Sequence, residues 1–178
     1  MNRPETPIQF RRAGKADAAA LSEFAARIFS ETFAADNTPE NMEILLADRF
    51  GVRQQTAELI HPEIVTIVVE EAGRMIAYTQ IRRIEPPDCV TGEAPVELGR
   101  FYVDGPWQGR GLAQRLMAAA RDAARGLGGR TFWLAVWEHN RRAIAFYEKC
   151  GFRDVGVKDF WLGSDQQNDR VMVTELAP

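Results

Sequence analysis

The sequence predicts a mixed α/β domain with a βαβ unit at its centre. The order of hydrophobic periodicities along the 178 residues is strand, two helices, three strands, helix, strand, helix, two strands. Residues 131–137, TFWLAVW, form an almost uninterrupted apolar run, which is typical of a strand buried on both faces beside a parallel neighbour. Gly109 and Gly111 stand where a strand pattern gives way to a helix pattern. We therefore expect one domain, residues 1–178, with about seven strands and about four helices.

The first half of the chain combines one strand, two helices and a hairpin. Residues 8–14 alternate enough for a strand, and the apolar positions of residues 16–33 suit an amphipathic helix. A second helix begins after Thr38, a suitable N-cap that is followed by a proline and an acidic first turn, and the segment QQTAELI adds a helical piece. Two β-branched runs turned at residues 71–73 then predict an antiparallel hairpin.

The second half contains the βαβ unit and a final pair of strands. After the loop PPDCVTGEAP comes the strand VELGRFYV, then the glycine corner and a helix that RGLGG ends. Asn140 can cap a short helix, RRAIAFYEKC, which Gly151 ends in the C′ position. The last two strands, FRDVGVKDFWLG and RVMVTEL, are expected to flank a polar turn, SDQQND.

Composition indicates a soluble, cytoplasmic protein. With 46% hydrophobic residues and a formal charge of −3, the chain can bury a sizeable core. No apolar run approaches the roughly 18 residues that a membrane span needs, and the first ten residues lack an apolar leader. Cys89 and Cys150 lie far apart without metal-type spacing, which suits a reducing compartment. The two histidines have no Cys or His neighbours at ligand spacing, so we expect no metal.

Charge is unevenly distributed despite the small total. Residues 31–48 carry five acids and neither Lys nor Arg, the acids being Glu31, Asp36, Glu40, Glu43 and Asp48. Binding to nucleic acid requires clustered positive charge, so we expect no nucleic-acid partner. This stretch is either a solvated helix face or a field that attracts a cationic partner.

The glycine corner has the chemistry of an anion site. The first amides of a helix lack internal partners and lie at the positive end of the helix dipole, and glycines let a phosphate approach them. A P-loop would need a Lys-Ser/Thr pair, which is absent. The dinucleotide motif G-x-G-x-x-G has Gln114 in place of its third glycine, and the first acid after the next strand, Glu138, lies 27 residues beyond Gly111 instead of about 20.

The segment Gln108–Ala113, QGRGLA, resembles the Q/R-x-x-G-x-G/A signature of the GNAT acetyltransferase superfamily. Its context is also similar to that family, because ELGRFYV precedes it and WLAVWEHNRRAIAFYEKCGF follows it. The resemblance covers roughly residues 8–176. It implies a central mixed sheet in which the fourth and fifth strands splay apart, and acetyl-CoA as cosubstrate without a metal.

The resemblance also implies where acetyl-CoA binds. The amides expected to hold its pyrophosphate are those of Gln108, Gly109, Arg110, Gly111, Leu112 and Ala113. The pantetheine arm is expected to pair like an additional strand with the backbone of Phe101, Tyr102 and Val103, since an opened sheet edge is a template for an amide-bearing ligand. Asn140 is expected to combine helix capping with a ligand contact, although the cap alone would explain it.

Two residues are candidates for proton transfer. An alkyl amine with a pKa of about 10.4 is almost fully protonated at pH 7, so it must lose a proton before it attacks the thioester. The resemblance places Glu97 where several family members have their base; alternatively, Glu97 orders neighbouring backbone or faces solvent. Tyr147 occupies the position of the family's usual general acid; alternatively, it is a core aromatic residue of an amphipathic helix.

The acceptor follows less directly from the sequence. The segments ETFAADNTPENM, WLAVWEHNRRAIAFYEKCGF and FWLGSDQQNDRVM are similar to bacterial spermine/spermidine acetyltransferases, so a small primary amine, cationic like a polyamine, is the first expectation. A protein N-terminus or lysine side chain is the second. A non-catalytic acetyl-CoA sensor and a nucleotide-binding protein are alternatives of other classes. A homodimer is compatible with the sequence.

Overall fold

One mixed sheet of seven strands organises the part of the chain that the structure, a computed structural model, describes: residues 7–177. The strands lie in the order β1-β2-β3-β4-β5-β7-β6. Their bounds are β1 Gln9–Arg12, β2 Ile64–Glu71, β3 Arg74–Arg82, β4 Pro95–Val103, β5 Thr131–Trp137, β6 Arg153–Leu162 and β7 Asp165–Glu175. The mixed α/β class and the seven strands confirm the prediction.

Five α-helices pack against this sheet within residues 7–177. They are α1 Ala18–Phe33, α2 Pro39–Phe50, α3 Val52–Ile60, α4 Leu112–Gly126 and α5 Arg141–Lys149. The predicted caps form: the Thr38 side chain accepts a hydrogen bond from the Asn41 amide, 3.3 Å, and the Asn140 side chain accepts one from the Ala143 amide, 3.2 Å. The additional helical piece predicted before Pro62 is α3.

The hairpin at the C-terminal end is tighter than the sequence analysis predicted. Leu162 pairs with Asp165, so the turn consists only of Gly163 and Ser164, and the predicted polar turn SDQQND is wrong for all but its first residue. The turn can be this short because Gly163 adopts a φ of +62° and because the Ser164 amide donates to the side-chain oxygen of Asn41, 3.1 Å. Residues 165–170 therefore belong to β7.

The sheet opens between β4 and β5, as the resemblance implied. These two strands are parallel, but they pair over three positions only: Pro95 with Thr131, Val96 with Phe132 and Glu97 with Trp133. Beyond this point β4 continues along β3, and β5 continues along β7. The two strands diverge into a gap at their carboxyl ends, which is the end at which ligands bind in open α/β sheets.

The two faces of the sheet are covered by different helices. On one face α1 and α2 pack on β2 and β3 through an apolar cluster that includes Leu21, Phe24 and Tyr78. On the other face α4 and α5 pack on β4, β5 and β7 through a cluster that includes Phe132 and Met172. The gap between β4 and β5 therefore joins a space under α1 and α2 to a space under α4 and α5.

A buried ion pair attaches α3 to β4 beside the gap. The Arg100 guanidinium binds the Glu58 carboxylate through two nitrogens, at 2.5 and 3.0 Å, and the Gln80 amide donates to the same carboxylate at 2.9 Å. Burial acts to raise the pKa of Glu58, but the charge of Arg100 and these hydrogen bonds outweigh it, so the pKa is lowered.

No helix among residues 7–177 is both long and apolar enough to cross a membrane.

Candidate active site

The gap between β4 and β5 widens into a cleft of about 930 Å³. Its walls come from β4, the glycine corner, β5, α5, the α1–α2 region and the β6–β7 hairpin. Nine of the residues predicted for the site line this cleft: Phe101, Tyr102, Val103, Gln108, Gly109, Gly111, Ala113, Asn140 and Tyr147. A volume of this size accommodates a drug-sized ligand.

The glycine corner presents unpaired backbone amides to the cleft. Gly109 and Gly111 have φ values of +76° and +78°, and no heavy atom lies within 4 Å of where a Cβ would stand on either of them. α4 begins immediately afterwards without a side-chain cap. Among the described residues, the amides of residues 109–113 donate no backbone hydrogen bond. The corner is therefore an open group of donors at a helix N-terminus, as an anion site requires.

The backbone amide of Gln108, predicted to bind the pyrophosphate, is hydrogen-bonded within the protein. Its amide donates to the Gly105 carbonyl, 3.1 Å, and its side-chain nitrogen donates to the Val103 carbonyl, 2.8 Å. The amide of Gln108 is therefore already engaged, and the available donors begin at Gly109. The side chain instead fastens the corner to the end of β4.

Side chains beside the corner stabilise its position. The Leu112 side chain is buried in an apolar cluster with Val103, so only its amide is relevant to a ligand. The Arg110 guanidinium lies 5.5 Å from the ring centroid of Trp107. Neither Arg110 nor Leu112 lines the cleft, so the contact of their amides with the pyrophosphate stays a prediction.

Strand β4 carries the edge on which an extended ligand can pair. The side chain of Phe101 points toward α5, with ring centroids 5.5 Å from Phe146 and 6.2 Å from Tyr147. Tyr102 points to the opposite face and stacks on Tyr78 at 5.5 Å. One edge of this backbone pairs with β3, and the other faces the gap.

Tyr147 lies in the wall of the cleft on α5 and is 9% exposed. Its ring packs edge to face against Phe101 and Phe152, at centroid distances of 6.2 and 5.8 Å. Burial raises the pKa of the phenol well above its usual value. The hydroxyl therefore stays protonated at neutral pH and is a donor to any atom that gains negative charge beside it.

Glu97 lies outside the cleft. Its side chain is 4% exposed, and its carboxylate is held by the Arg82 guanidinium, with an Nε–Oε2 distance of 2.7 Å. Gly99 leaves room for this ion pair, because a Cβ there would come within 2.4 Å of Arg82 Nε. The structure thus brings Tyr147, Asn140 and the corner together but does not place Glu97 with them. The Glu97 carboxylate does not face solvent either, and its partner is the Arg82 side chain and not the neighbouring backbone.

Asp169 is a site residue that sequence analysis missed. It is 8% exposed, lies on β7 directly opposite Trp137 of β5, and lines the cleft together with Gln167. Burial raises the pKa of its carboxyl to about 6. The alternation of Gln167, Asp169 and Val171 in QNDRVMV indicates an inward face for Asp169, but the polar composition of residues 164–169 predicts a turn instead.

The acidic stretch of residues 31–48 is largely a solvated surface. All five acids are exposed, and in the described chain Glu31 alone of them lines the cleft. The Glu31 carboxylate is paired with Arg27 at 3.0 Å. No group of three or more His, Cys, Asp and Glu side chains that could hold a metal is found among residues 7–177.

The mixed sheet that opens between two parallel strands beside a glycine corner is the arrangement that the resemblance to the GNAT acetyltransferases implied. The family model for the GNAT acetyltransferases matches residues 22–152. An uncharacterized N-acetyltransferase of Mycobacterium tuberculosis is 31% identical over 160 residues, which is 90% of this chain and 98% of the relative. The chain belongs to the GNAT acetyltransferase family and is an acetyl-CoA-dependent N-acetyltransferase.

Other relatives are more distant. The spermine/spermidine N(1)-acetyltransferase of Bacillus subtilis is 33% identical over 82 residues, 46% of this chain and 50% of the relative. The PaiA N-acetyltransferase of Thermoplasma acidophilum, solved in complex with coenzyme A, superposes with a TM-score of 0.76 over 95% of this chain and 99% of that chain, at 19% identity. The YncA acetyltransferase of Salmonella typhimurium, solved with acetyl-CoA, gives a TM-score of 0.67 over 97% and 96% of the two chains at 22% identity. These two structures establish the likeness of fold.

Proposed function

We propose that the protein transfers the acetyl group of acetyl-CoA to a small cationic primary amine by direct attack, with a polyamine as the first candidate. The observation that carries this proposal is the charge on the cleft wall remote from the glycine corner. There, the buried Asp169 lines the space under α1 and α2, whereas Glu31 at its edge is exposed and paired with Arg27. Carboxylates in a partly desolvated cleft attract cations more strongly than exposed ones do.

Acetyl-CoA is proposed to enter from the face of α4 and α5. The amides of residues 109–113 receive the pyrophosphate, and the arm follows the open edge of β4 from Val103 towards Phe101. Arg142 and Lys149 of α5 line the same side of the cleft and attract the anionic phosphates. This placement leaves the thioester beside Tyr147, where β4 and β5 begin to separate.

The amine is proposed to enter from the opposite face. Phe33, Phe160 and Trp137 form an apolar rim there, and Phe33 and Trp137 contact each other edge to face at 6.1 Å. Arg49 also lines this side, but its guanidinium is stacked over the Phe160 ring at 5.1 Å. An aliphatic polycation suits such a space, since its methylene groups contact the aromatic rim and its ammonium groups contact the carboxylates.

Tyr147 is proposed to protonate the departing thiolate. A phenol with a raised pKa gives up its proton only as negative charge develops on sulfur, which is the behaviour required of a general acid in this step. Asn140 is proposed to contact the cofactor while its side-chain oxygen caps α5. The family membership and the partial similarity to a spermine/spermidine acetyltransferase support these assignments.

A competition assay tests the acceptor. Equimolar spermidine, spermine, putrescine, an N-terminally free peptide and an N-terminally blocked lysine peptide are incubated with enzyme and acetyl-CoA, and the products are identified by mass spectrometry. We expect monoacetylated polyamine as the main product. Acetylation of either peptide in preference to all three polyamines would refute the polyamine proposal and favour the protein acceptor.

A further inference from the structure

We propose that Asp169 is the general base of the reaction: its carboxylate receives the ammonium group of the acceptor and takes a proton from it. This inference rests on the proposed function for the direction from which the amine enters. Asp169 of β7 then has the role of general base that the family resemblance implies for Glu97 of β4.

The position of Asp169 is suited to this role. On β7 it pairs with Trp137 of β5 and Lys158 of β6. Directly paired residues project to the same face of a sheet, and the Trp137 ring contacts Phe33 of α1, so the Asp169 side chain lies on the face of α1 and α2. It is buried but lines the cleft, so the cleft is its access to a ligand. A carboxylate at this point meets an amine that enters from that face before the amine reaches the plane of the sheet.

Tyr102 lies close enough to both Asp169 and Tyr147 to interact with each of them electrostatically. Burial raises the pKa of Tyr102 to about 12; the charge of Arg100 opposes this effect, and the charge of Asp169 adds to it. Tyr102 in turn raises the pKa of Tyr147, after the larger effect of burial. Tyr102 of β4 is therefore within coulombic reach of both residues, and its backbone is where the pantetheine arm is proposed to pair.

The Asp169 carboxylate is available for a ligand, whereas that of Glu97 is not. Among residues 7–177 no donor is hydrogen-bonded to the Asp169 carboxylate, and burial is the largest influence on its pKa. Lys158, Arg49 and Glu138 face it from β6, α2 and the end of β5, and they act only through coulombic effects. The Lys158 ammonium lies over the Trp133 ring at 5.8 Å. Glu97, in contrast, is bound by Arg82.

Asp169 and Tyr147 together carry the protons of the acetyl transfer. The acceptor ammonium gives one proton to the Asp169 carboxylate, and the freed nitrogen lone pair forms the bond to the thioester carbon. The C–S bond then breaks, and the sulfur takes the proton of the Tyr147 hydroxyl. The second proton on the attacking nitrogen returns to the Tyr147 oxygen, and Asp169 releases its proton to solvent. The products are the acetamide, free coenzyme A and one proton.

Asp169→Asn tests this assignment. The substitution keeps the size of the side chain but removes the basic oxygen. Because general bases contribute typically 10²–10⁴-fold, we expect kcat for the best amine of the panel to fall by at least 100-fold. The KM for acetyl-CoA is expected to stay within about twofold, since the carboxylate is assigned to the amine and not to the cofactor.

Asp159→Asn is the matched control. Asp159 is an exposed acid on β6 that pairs with Asn168, so it carries the same charge on the opposite face of the same hairpin. This variant is expected to retain wild-type kcat. Circular dichroism and thermal melting of both variants show whether the fold is intact.

The pH dependence separates a base from a merely structural residue. In the wild type, kcat/KM for the amine is expected to rise through a limb near pH 6, and this limb is expected to be absent in Asp169→Asn. If Asp169→Asn retains more than one-tenth of the wild-type kcat, or if Glu97→Gln abolishes activity while Asp169→Asn does not, the assignment is overturned. A wild type that acetylates only peptides refutes the polyamine acceptor but leaves the Asp169 test intact with a peptide as substrate.

Discussion

Tyr147 reaches the cleft because of its position in a short capped helix. Asn140 fixes the start of α5 and Gly151, with a φ of +86°, ends it, so the helix presents Tyr147 on the face that packs on Phe101 and Phe152. We expect Tyr147→Phe to lower kcat at least tenfold, because the thiolate then leaves without a proton donor. Steady-state measurement of free-thiol release checks kcat, and calorimetry is expected to show unchanged acetyl-CoA affinity.

Tyr78→Phe is the matched control for this substitution. The Tyr78 ring is fully buried, and its hydroxyl has no hydrogen-bond partner among residues 7–177. Removal of that hydroxyl is expected to leave kcat unchanged and to cost no stability, since a buried hydroxyl without a partner contributes only a desolvation penalty. Equal kcat values for Tyr147→Phe and the wild type would remove Tyr147 from the mechanism.

Asp169 also gives a prediction for stability. Its pKa is raised by burial from 3.8 to about 6, so between these values the native state binds more protons than the unfolded state, and stability falls as pH rises. Above pH 6 the carboxylate is ionised in both states, and the full free-energy cost of burying its charge lowers the stability of the native state. Asp169→Asn removes it and is expected to stabilise the protein by about 1–2 kcal/mol at pH 7.5, after allowance for screening at the cleft.

Urea denaturation at two pH values checks this prediction. The stabilisation is expected to be largest at pH 7.5 and nearly absent at pH 3.5, because below the unfolded pKa the aspartic acid is neutral in both states. Asp169→Asn is therefore expected to be both more stable and less active than the wild type. This combination is typical of a carboxylate that lowers stability but is needed for catalysis. If Asp169→Asn destabilises the protein at pH 7.5, the raised pKa of Asp169 is contradicted.

At the scale of elements, the corner between β4 and α4 depends on two glycines in left-handed conformation. An alanine at Gly111 is expected to lower stability by about 1–2 kcal/mol, because its φ of +78° is unfavourable for a residue with a Cβ. The added methyl also stands at the mouth of the amide group of residues 109–113. We therefore expect Gly111→Ala to weaken coenzyme A binding at least tenfold, measured by calorimetry.

Gly73→Ala separates these two effects. Gly73 has a φ of +74° in the β2–β3 hairpin, and no heavy atom lies within 4 Å of its Cβ position, which is also true of Gly111. Its substitution is expected to lower stability by a similar amount but to leave coenzyme A affinity unchanged. Equal affinities for both alanine variants would show that residues 109–113 do not hold the pyrophosphate.

Elements whose signals are local could be predicted from the sequence. The caps at Thr38 and Asn140 and the corner at Gly109 and Gly111 each depend on a few consecutive residues, and the structure shows all of them. The β6–β7 hairpin could not be placed in this way. Its polar residues satisfied the composition of a turn, but the contact of Asn41 with Ser164, which lies far away in sequence, favours a two-residue turn.

The positions of the Glu97 and Asp169 carboxylates also depend on strand pairings between residues that are far apart in the sequence. Whether Glu97 reaches the cleft depends on its cross-strand partner, and the pairing with Arg82 follows from a register that shifts between Gln80 and Ile81. Asp169 projects into the cleft because β7 begins at Asp165, earlier than the sequence pattern predicts. Neither register is encoded within a short window, so the sequence predicts the glycine corner better than it predicts which carboxylates line the cleft.

At the scale of the molecule, the sheet consists of two parts joined by a short seam. Strands β1 to β4 form one part and β5 to β7 the other, and the three paired positions of residues 95–97 with residues 131–133 are the pairing between them. The remaining length of β4 and β5 faces the cleft. A ligand that pairs with β4 and contacts α4 and α5 therefore fills the space that backbone hydrogen bonds would otherwise occupy.

This architecture predicts a large stabilisation by the cofactor. A ligand that binds only the native state at 100 times its Kd adds about 2.7 kcal/mol, which for a chain of this size corresponds to a rise in Tm of about 5–10 °C. Scanning calorimetry with millimolar coenzyme A is expected to show this rise for the wild type and for Gly73→Ala, and a smaller one for Gly111→Ala. Hydrogen exchange is expected to slow in β4 and at the start of α4, while β1 and β6 at the outer edges stay unchanged. If Tm does not move at millimolar coenzyme A, the cleft between β4 and β5 is not the cofactor site, because no ligand can occupy it tightly without stabilising the state that contains it.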